Sequence, residues 1–255
     1  MPERQESENG LEDTIALVTG ANRGIGFEIV RQLAERGVRA VLSGRDQAAV
    51  DTAVAGLREA GLPVEGLRLD VTDPKSIAAA AAELETRHGR LDVLVNNAAV
   101  RIEKYGKRPS EQTLAEWRET FDTNLFGMVE TTLALLPLIR RSAAGRIVNV
   151  SSLLGSLTLH SDPESYTYSD TFKALPAYSA TKSAVNSWTV HLAYELRDTP
   201  IKVNSAHPGY TKTGMNDGAG DQEPPDGAVT SVELALLDEN GPSGSYVHAG
   251  KVLPW

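Results

Sequence analysis

Short apolar runs that are rich in β-branched residues recur along the chain, and longer segments with helical periodicity separate them. Each run has the length of one strand and is apolar at successive positions, which is typical of strands buried on both faces of a parallel sheet. The pattern predicts strands at residues 14–19, 38–43, 64–69, 91–96, 146–151, 201–206 and, with the weakest pattern, 244–248.

The intervening segments carry helix start and stop signals. Asp46 stands where an N-cap is expected, and Pro74 lies near the first position of an Ala-rich helix. Thr113 and Glu116 fit a capping box that opens a long helix. Helices are therefore predicted over residues 25–36, from 46 onwards, 74–88, 113–141 and 176–197.

Strands that alternate with helices over spacers of this length predict an α/β fold. We expect a Rossmann-type, doubly wound sheet of about seven parallel strands flanked by helices. No linker-like stretch divides the chain, so one domain is predicted over residues 14–255, preceded by a flexible acidic tail over residues 1–13.

Composition narrows the function classes. The 255-residue chain has a net charge of −9, which argues against nucleic acid or an anionic membrane as a partner. It has no cysteine, and its five histidines are scattered without a metal-ligand spacing, so no metal site is expected. No apolar run reaches the length of a membrane span, and the first residues lack the features of a signal peptide. We therefore expect a cytoplasmic protein whose partner is a small molecule.

A glycine-rich turn lies between the first predicted strand and the helix after it. It has the spacing Gly-x-x-x-Gly-x-Gly and consists of Gly20, Ala21, Asn22, Arg23, Gly24, Ile25 and Gly26. Glycines let the backbone turn tightly and approach a pyrophosphate, and a helix N-terminus offers unpaired N–H groups and the positive end of its dipole. This position predicts a phosphate-binding site; a purely structural turn is the alternative.

The end of the second predicted strand indicates which dinucleotide is bound. An NAD site requires a carboxylate there for the ribose hydroxyls. Asp46 is near enough, but its expected task is to cap the next helix, whereas Arg45 and Arg23 offer guanidinium groups suited to a 2′-phosphate. We therefore favour NADP over NAD as the cofactor. The alternative is that both arginines are merely solvated.

Tyr178 and Lys182 are four residues apart in a predicted helix, so the phenol and the ammonium share one face. A nearby cation stabilises a phenolate and lowers the pKa of the tyrosine towards neutral pH. The pair is therefore a candidate general acid/base, although a packed ring beside a solvated amine has the same spacing.

A series of short motifs occurs in a fixed order along residues 14–215. They are Thr-Gly-x-x-x-Gly-x-Gly at 19–26, Asp-Val at 70–71, Asn-Asn-Ala-Ala at 96–99, Asn124, Asn-Val-Ser-Ser at 149–152, Tyr178 with Lys182, and Pro-Gly at 208–209. This ordered set resembles the motifs of the classical short-chain dehydrogenase/reductase family. The Asn-Arg of the glycine turn together with Arg45 is most similar to the carbonyl-reductase branch. The resemblance implies a seven-stranded parallel sheet, a nicotinamide cofactor and a carbonyl or alcohol substrate.

The resemblance also implies roles for the residues that match these motifs. Tyr178 would be the catalytic acid/base, Lys182 would lower its pKa and hold the nicotinamide ribose, and Ser152 would polarise the substrate oxygen. Asn124 would anchor a water molecule of the proton relay while bonding to the backbone, and Ser151 would be structural. The other implied cofactor contacts are Asp70, Val71, Asn96, Ala98, Pro208, Gly209, Thr211 and Thr213. For Asn96, stabilisation of the central strands is the alternative.

Three features depart from the family's pattern. Ala99 stands where glycine is common, and Thr211 where Val or Ile is frequent. Ser152 and Tyr178 are 26 residues apart, which is about twice the usual spacing. The additional stretch, within residues 153–175, resembles a shorter version of the insertion in monomeric carbonyl reductases, which covers the helix that others use to dimerise. We expect it to border the substrate site; a surface excursion is the alternative.

We predict an oxidoreductase that transfers a hydride between NADPH and a ketone or aldehyde, with Tyr178 as proton donor. Residues 212–227, rich in Gly, Asp and Pro, are predicted to form a short mobile lid beside an open pocket. An NAD-dependent alcohol dehydrogenase of the same fold is the first alternative, and a dinucleotide-binding sensor without turnover is the second. The complete acid/base set argues against the sensor. Monomer and homo-oligomer both remain open.

Overall fold

Eight strands form one sheet in the computed structural model, which describes residues 11–255. The strands are β1 (Ile15–Val18), β2 (Arg39–Gly44), β3 (Glu65–Arg68), β4 (Val93–Asn96), β5 (Arg146–Val150), β6 (Lys202–Ala206), β7 (Tyr246–His248) and β8 (Lys251–Val252). Their order is β3-β2-β1-β4-β5-β6-β7-β8, and neighbours run parallel except for β7 and β8. The sheet confirms the predicted doubly wound fold, with one strand more than expected.

The eighth strand has no counterpart in the hydrophobic pattern. It consists of Lys251 and Val252, which are both exposed, and it pairs antiparallel with β7. Ala249 and Gly250 connect the two strands with φ of 46° and 72°, the left-handed conformation of a two-residue hairpin turn. Because β8 is short and exposed, it lacks the apolar run by which a strand is predicted.

Helices cover both faces of the sheet. They are α1 (Gly24–Glu35), α2 (Gln47–Glu59), α3 (Pro74–His88), α4 (Leu114–Phe121), α5 (Met128–Ile139), α6 (Leu157–Ser161), α7 (Asp170–Lys173), α8 (Pro176–Glu195) and α9 (Pro224–Ala235). One buried cluster joins the sheet to α1, α2 and α9, and a second joins it to α3, α5 and α8. In β1, Ala16 and Val18 belong to the first cluster. Ile15 and Leu17 point to the opposite face and belong to the second. Burial on both faces explains the continuous apolar runs.

The single helix predicted over residues 113–141 is divided in two. The capping box is present, since the Thr113 hydroxyl accepts from the N–H of Glu116 at 3.2 Å. A π-helical turn over Asp122–Gly127 then separates α4 from α5. Such turns insert one additional residue and are frequent at functional sites. One added residue rotates the side chains after it by about 100° around the helix axis. The prediction of one continuous helix rested on the capping box at its start, which does not report an interruption further along.

The order of the strands reverses between β1 and β4. The chain builds the sheet outwards through β2 and β3, then returns to extend it on the other side of β1. Ligands of such sheets bind in the crevice outside the carboxyl ends of the strands, at this switch point. The glycine-rich turn after β1 and the loop after β4 both lie there, and they form the first parts of the candidate site.

The chain before β1 is described only from Leu11 onwards, so residues 1–10 of the predicted acidic tail lie outside the described residues. Leu11 packs against the buried cluster of α1, α2 and α9, and its carbonyl accepts from the N–H of Thr14 at 3.0 Å. No helix within residues 11–255 is long and apolar enough to cross a membrane.

Candidate active site

The glycine-rich turn leads directly from β1 into α1. Gly20 and Gly24 each have a φ of 61°, a conformation that favours glycine. A Cβ atom on Gly20 would lie 2.8 Å from the Cα of Ala98. One on Gly26 would lie 2.4 Å from the Nδ2 of Asn97. In the described part of the chain no side chain caps α1. The turn thus excludes side chains at two glycines, and the start of α1 keeps N–H groups available for a phosphate.

Asn97 braces this turn, which the sequence did not indicate. Its Nδ2 donates to the carbonyls of Thr19 and Gly20 at 2.9 and 3.1 Å. The neighbouring Asn96, predicted at the ribose, instead donates to Oδ1 of Asn149 at 2.8 Å and so links β4 to β5. Successive residues of a strand point to opposite faces, which explains the different tasks. Asn96 has the strand-stabilising contact that the sequence offered as the alternative, and its contact with a ribose stays a prediction.

Two exposed arginines lie near the end of β2. Arg23 precedes α1 and Arg45 follows β2, and neither has an ion-pair partner among residues 11–255. Asn22 lies beside them, because its Oδ1 is 3.3 Å from the place where a Cβ of Gly44 would be. Asp46 caps α2 by accepting from two of its N–H groups. The groups left at this corner suit a 2′-phosphate.

Asp70 and Val71 follow β3 at the same edge of the sheet. The Asp70 carboxylate accepts from the N–H and the hydroxyl of Thr72 at 2.9 and 2.7 Å. Burial raises the pKa of Asp70, but these hydrogen bonds and the charges of Arg45 and Arg68 outweigh burial, so its pKa is lowered. Val71 is buried beside it. The two residues therefore lie next to Arg45, at the edge of the sheet where the adenine is expected.

Ser152, Tyr178 and Lys182 meet where β5 ends against the first turns of α8. The hydroxyls of Ser152 and Tyr178 both line one cavity, and the Ser152 side chain is near enough to lower the pKa of the phenol. The Nζ of Lys182 lies 5.6 Å from the centroid of the tyrosine ring and donates to the carbonyl of Val150 at 2.8 Å. Ser151 is buried, and its hydroxyl donates to the Lys182 carbonyl at 3.4 Å. The spacing of four has brought the phenol and the ammonium to one face of α8.

Burial sets the protonation of this group of residues. It raises the pKa of Tyr178 to about 12, against the lowering effects of the nearby Ser152 hydroxyl and the Arg101 guanidinium. It also lowers the pKa of Lys182 to about 8. The net shift of the tyrosine is opposite to the lowering expected from the neighbouring cation, because desolvation of the phenolate dominates. The phenol is therefore protonated at neutral pH, the state that a proton donor requires.

Asn124 lies buried in the π turn between α4 and α5. Its Oδ1 accepts from the N–H of Val100 at 2.8 Å, and its Nδ2 donates to the carbonyl of the same residue at 2.9 Å. The Nδ2 also donates to the hydroxyl of Thr181 on α8 at 3.2 Å. The side chain thus joins the loop after β4 to α8. Its part in a water relay stays a prediction.

A cavity opens at the meeting point of these segments. Seven of the predicted site residues line it: Ile25, Ser152, Tyr178, Pro208, Gly209, Thr211 and Thr213. Next to these lining residues, the Nε2 of Gln222 donates to the Oγ1 of Thr211 at 3.0 Å. The main chains of the same two residues pair as a single parallel β-bridge. The segment predicted as a mobile lid is therefore tied across its base.

The insertion within residues 153–175 forms another part of the cavity wall. Tyr166, Phe172 and Leu175 line the cavity. The Phe172 ring packs edge-on against Tyr166 and Tyr210, with centroids 5.7 and 5.6 Å apart. The structure thus places the insertion at the border of the cavity, and its contact with a substrate stays a prediction.

The insertion leaves the outer surface of α5 and α8 uncovered. Leu133 on α5 and Val190 and Tyr194 on α8 are all exposed. Because this surface stays accessible, the choice between monomer and homo-oligomer remains open.

Comparison with known proteins decides the family. A family profile described as short chain dehydrogenase matches residues 14–224, from β1 to the start of α9. The match includes the glycine-rich turn and the residues Ser152, Tyr178 and Lys182. The chain belongs to the short-chain dehydrogenase family.

Relatives of this dehydrogenase include reductases of carbonyl compounds. Carbonyl reductase [NADPH] 1 of Mus musculus is 36% identical over 276 residues, which cover 94% of this chain and 98% of the relative. The (+)-neomenthol dehydrogenase of Arabidopsis thaliana is 34% identical, with 91% and 94% covered. The solved NADPH-bound carbonyl reductase from chicken fatty liver has a TM-score of 0.81 and 28% identity, with 96% of this chain and 95% of that one covered. These matches confirm the resemblance to the carbonyl-reductase branch.

Two residues that line the cavity were not predicted from the sequence. Arg101 lines the cavity, and its guanidinium lies 4.4 Å from the centroid of the Tyr105 ring. His207 also lines the cavity, and its Nδ1 accepts from the N–H of Leu153 at 3.2 Å. Burial lowers the pKa of His207 to about 3, so the ring stays neutral. Both residues follow the carboxyl ends of strands, which is the one signal that points to them.

Proposed function

We propose that this dehydrogenase transfers a hydride between NADPH and a ketone or aldehyde, with Tyr178 as the proton donor. The observation that carries the proposal is the meeting of the Ser152 and Tyr178 hydroxyls, backed by Lys182, in a cavity that Ile25 of the glycine-rich turn also lines. A carbonyl oxygen placed in this cavity would have two hydroxyl donors within reach. Such donors are what reduction of a carbonyl requires, because negative charge develops on the oxygen.

Tyr178, Ser152 and Lys182 have separate roles in the transfer of the proton to the carbonyl oxygen. NADPH, when bound, supplies the hydride. Tyr178 donates its proton to the developing alkoxide, and Ser152 stabilises the same oxygen by a hydrogen bond. The ammonium of Lys182, on the same face of α8, stabilises the phenolate that remains after proton transfer.

Three features of the chain support NADPH as the cofactor. The turn after β1 leads into α1, whose first N–H groups are not capped by a side chain in the described part of the chain and are available to a pyrophosphate. Arg23 and Arg45 stand beside this turn without an ion pair in the described part of the chain. Asp46, the carboxylate that could serve the ribose of NAD, is engaged as the cap of α2.

Turnover is tested by following NADPH absorbance with a panel of ketones and aldehydes. Tyr178→Phe is expected to lower kcat roughly a hundredfold or more, because it removes the proton donor. NADPH should still bind, as measured by fluorescence titration. Tyr168→Phe is the matched control, since this tyrosine of the insertion is exposed and does not line the cavity. Unchanged turnover in Tyr178→Phe would contradict the mechanism.

The choice of cofactor is tested by charge reversal at the end of β2. Arg45→Asp should lower the preference for NADPH over NADH roughly tenfold or more, because a hydrogen bond to a charged group contributes about 1.5–3 kcal/mol. Arg39→Asp is the control, since Arg39 is exposed at the opposite end of the same strand. Direct titration of both nucleotides gives a second readout. A ratio that does not change in Arg45→Asp would show that Arg45 does not contact the 2′-phosphate.

The two alternatives predict other results in the same assays. An NAD-dependent alcohol dehydrogenase would oxidise alcohols with NAD⁺ faster than it reduces carbonyls with NADPH. A sensor would bind the nucleotide and turn over none of the carbonyl compounds. A cytoplasmic location and a small-molecule partner without nucleic acid stay predictions from the sequence.

A further inference from the structure

The carboxylate of Glu103 caps the first turn of α8 from a distant part of the chain. Its Oε1 accepts from the N–H of Ala177 at 2.6 Å, and its Oε2 accepts from the N–H of Tyr178 at 2.9 Å. Glu103 is only 1% exposed, and within residues 11–255 it makes no ion pair. Two oxygens that both accept from N–H groups are the arrangement of an ionised carboxylate.

Within the described residues, α8 has no side-chain cap of its own. It begins at Pro176, which has no N–H, and the N-cap residue Leu175 makes no side-chain hydrogen bond. The next two N–H groups are therefore the first free donors of the helix, and Glu103 accepts from both. The helix dipole places positive partial charge at this end, so a carboxylate is well suited to it.

We propose that Glu103 is a positioning residue, which holds Tyr178 in its reactive place by capping the first turn of α8. The inference rests on the proposed function, because it concerns the same phenol. Tyr178 belongs to the first turn, and the ends of helices fray. Without Glu103, the main-chain N–H of the proton donor would lose the carboxylate that accepts its hydrogen bond. A displacement of about 1 Å at a reacting group costs up to roughly a hundredfold in rate.

The loop after β4 holds Glu103 in a fixed position. Val100 exchanges two hydrogen bonds with the side chain of Asn124 in the π turn. Arg101 donates from Nη1 to the main-chain carbonyl of Glu103 at 2.7 Å. The charged side chains that act on the carboxylate are Arg101, on the same loop, and Glu116, on α4. A rigid loop thus presents the cap to α8, which a positioning role requires.

The experiment compares Glu103→Gln and Glu103→Asp with the wild-type enzyme. Gln keeps the size but turns an NH₂ donor towards an N–H, and Asp keeps the charge but is too short to reach both donors. We expect kcat to fall roughly tenfold or more in Glu103→Gln and by a smaller factor in Glu103→Asp. The dissociation constant of NADPH, from fluorescence titration, should stay close to that of the wild type. All assays are run well below the melting temperature of each variant.

Asp73→Asn is the matched control, because Asp73 caps α3 with its carboxylate by accepting from the N–H of Lys75 at 3.0 Å. It should lower the melting temperature and leave kcat unchanged. Wild-type kcat in Glu103→Gln, or an equal loss of kcat in Asp73→Asn, overturns the inference. If Glu103→Gln does not fold, Glu103→Asp decides, and wild-type kcat in that variant overturns it. Failure of the proposed function differs from this, because Tyr178→Phe would then keep its turnover.

Discussion

Arg101 donates from Nε and Nη2 to the main-chain carbonyl of Met215, at 2.9 and 2.6 Å. Met215 lies in the 3₁₀ turn Gly214–Asn216, within the segment predicted as a mobile lid. Arg101 and Met215 both line the cavity, so the contact fastens this segment to the loop after β4. The Arg101 guanidinium therefore adds a second attachment of this part of the cavity wall, besides the contact between Gln222 and Thr211.

Arg101→Gln is expected to loosen this wall. Hydrogen bonds from a charged group contribute about 1.5–3 kcal/mol, so amide exchange over residues 214–218 should accelerate roughly tenfold or more. The measurement is hydrogen–deuterium exchange followed by mass spectrometry. Arg118→Gln, an exposed arginine of α4, serves as control and should leave the exchange of this segment unchanged. Equal exchange in the wild type and Arg101→Gln would refute the fastening role.

Phe172→Ala should weaken the binding of carbonyl substrates. Phe172 lines the cavity and packs against Tyr166 and Tyr210, so its removal opens the wall and frees both rings. Aromatic contacts of this kind contribute about 0.5–1.5 kcal/mol beyond the buried area, so KM should rise roughly threefold to tenfold. Tyr168→Ala, on the same insertion but outside the cavity wall, should keep its KM. If both variants shift KM alike, the insertion does not form the substrate border.

Two glycine substitutions should have opposite effects on stability. Gly20→Ala combines a φ of 61° with a Cβ 2.8 Å from the Cα of Ala98, so we expect a loss of about 2 kcal/mol or more and weaker NADPH binding. Gly56 lies inside α2, and a Cβ there would meet nothing within 4 Å. Gly56→Ala should therefore stabilise by about 0.5–1 kcal/mol. Chemical denaturation measures both, and a stable Gly20→Ala variant would show that the turn rearranges.

His207 should make the protein less stable in mild acid. Burial lowers its pKa to about 3 in the folded state from an ordinary value of 6.5, so the unfolded chain binds the proton more readily. The stabilisation of the folded state by neutral His207 is fully present above pH 6.5. It is lost progressively as the pH falls from 6.5 towards 3. At about 1.4 kcal/mol per unit, the loss between pH 7 and pH 5 is on the order of 2 kcal/mol.

The test is denaturation of His207→Asn beside the wild type at several pH values. The Oδ1 of Asn can accept from the N–H of Leu153 as Nδ1 does, while the side chain does not titrate. The difference in free energy of unfolding between the two proteins should change by about 2 kcal/mol between pH 7 and pH 5. A constant difference would show that His207 is protonated in the folded protein as easily as in the unfolded chain.

Local sequence patterns predicted much of the fold, and the elements that they missed have physical explanations. The capping box at Thr113 was found from neighbouring residues alone, and the apolar runs located the parallel strands. The exposed strand β8 was missed because it has no apolar run. The π turn around Asn124 was missed because the capping box marks only where the helix begins. At the site, the doublet Asn96–Asn97 was located, but which of the two braces the glycine turn depends on the face to which each points.

Local patterns were enough to predict the alternation of strands and helices, the glycine-rich turn and the Tyr178–Lys182 pair, because each is recognised from residues that are close together along the chain. The cap that Glu103 provides for α8 and the contact of Arg101 with Met215 came from the folded structure, since they join residues 74 and 114 positions apart. It also decided the direction of the Tyr178 pKa shift, because desolvation depends on everything packed around the phenol. Burial and distant contacts arise from the packing of the whole chain, and no local pattern of residues specifies them.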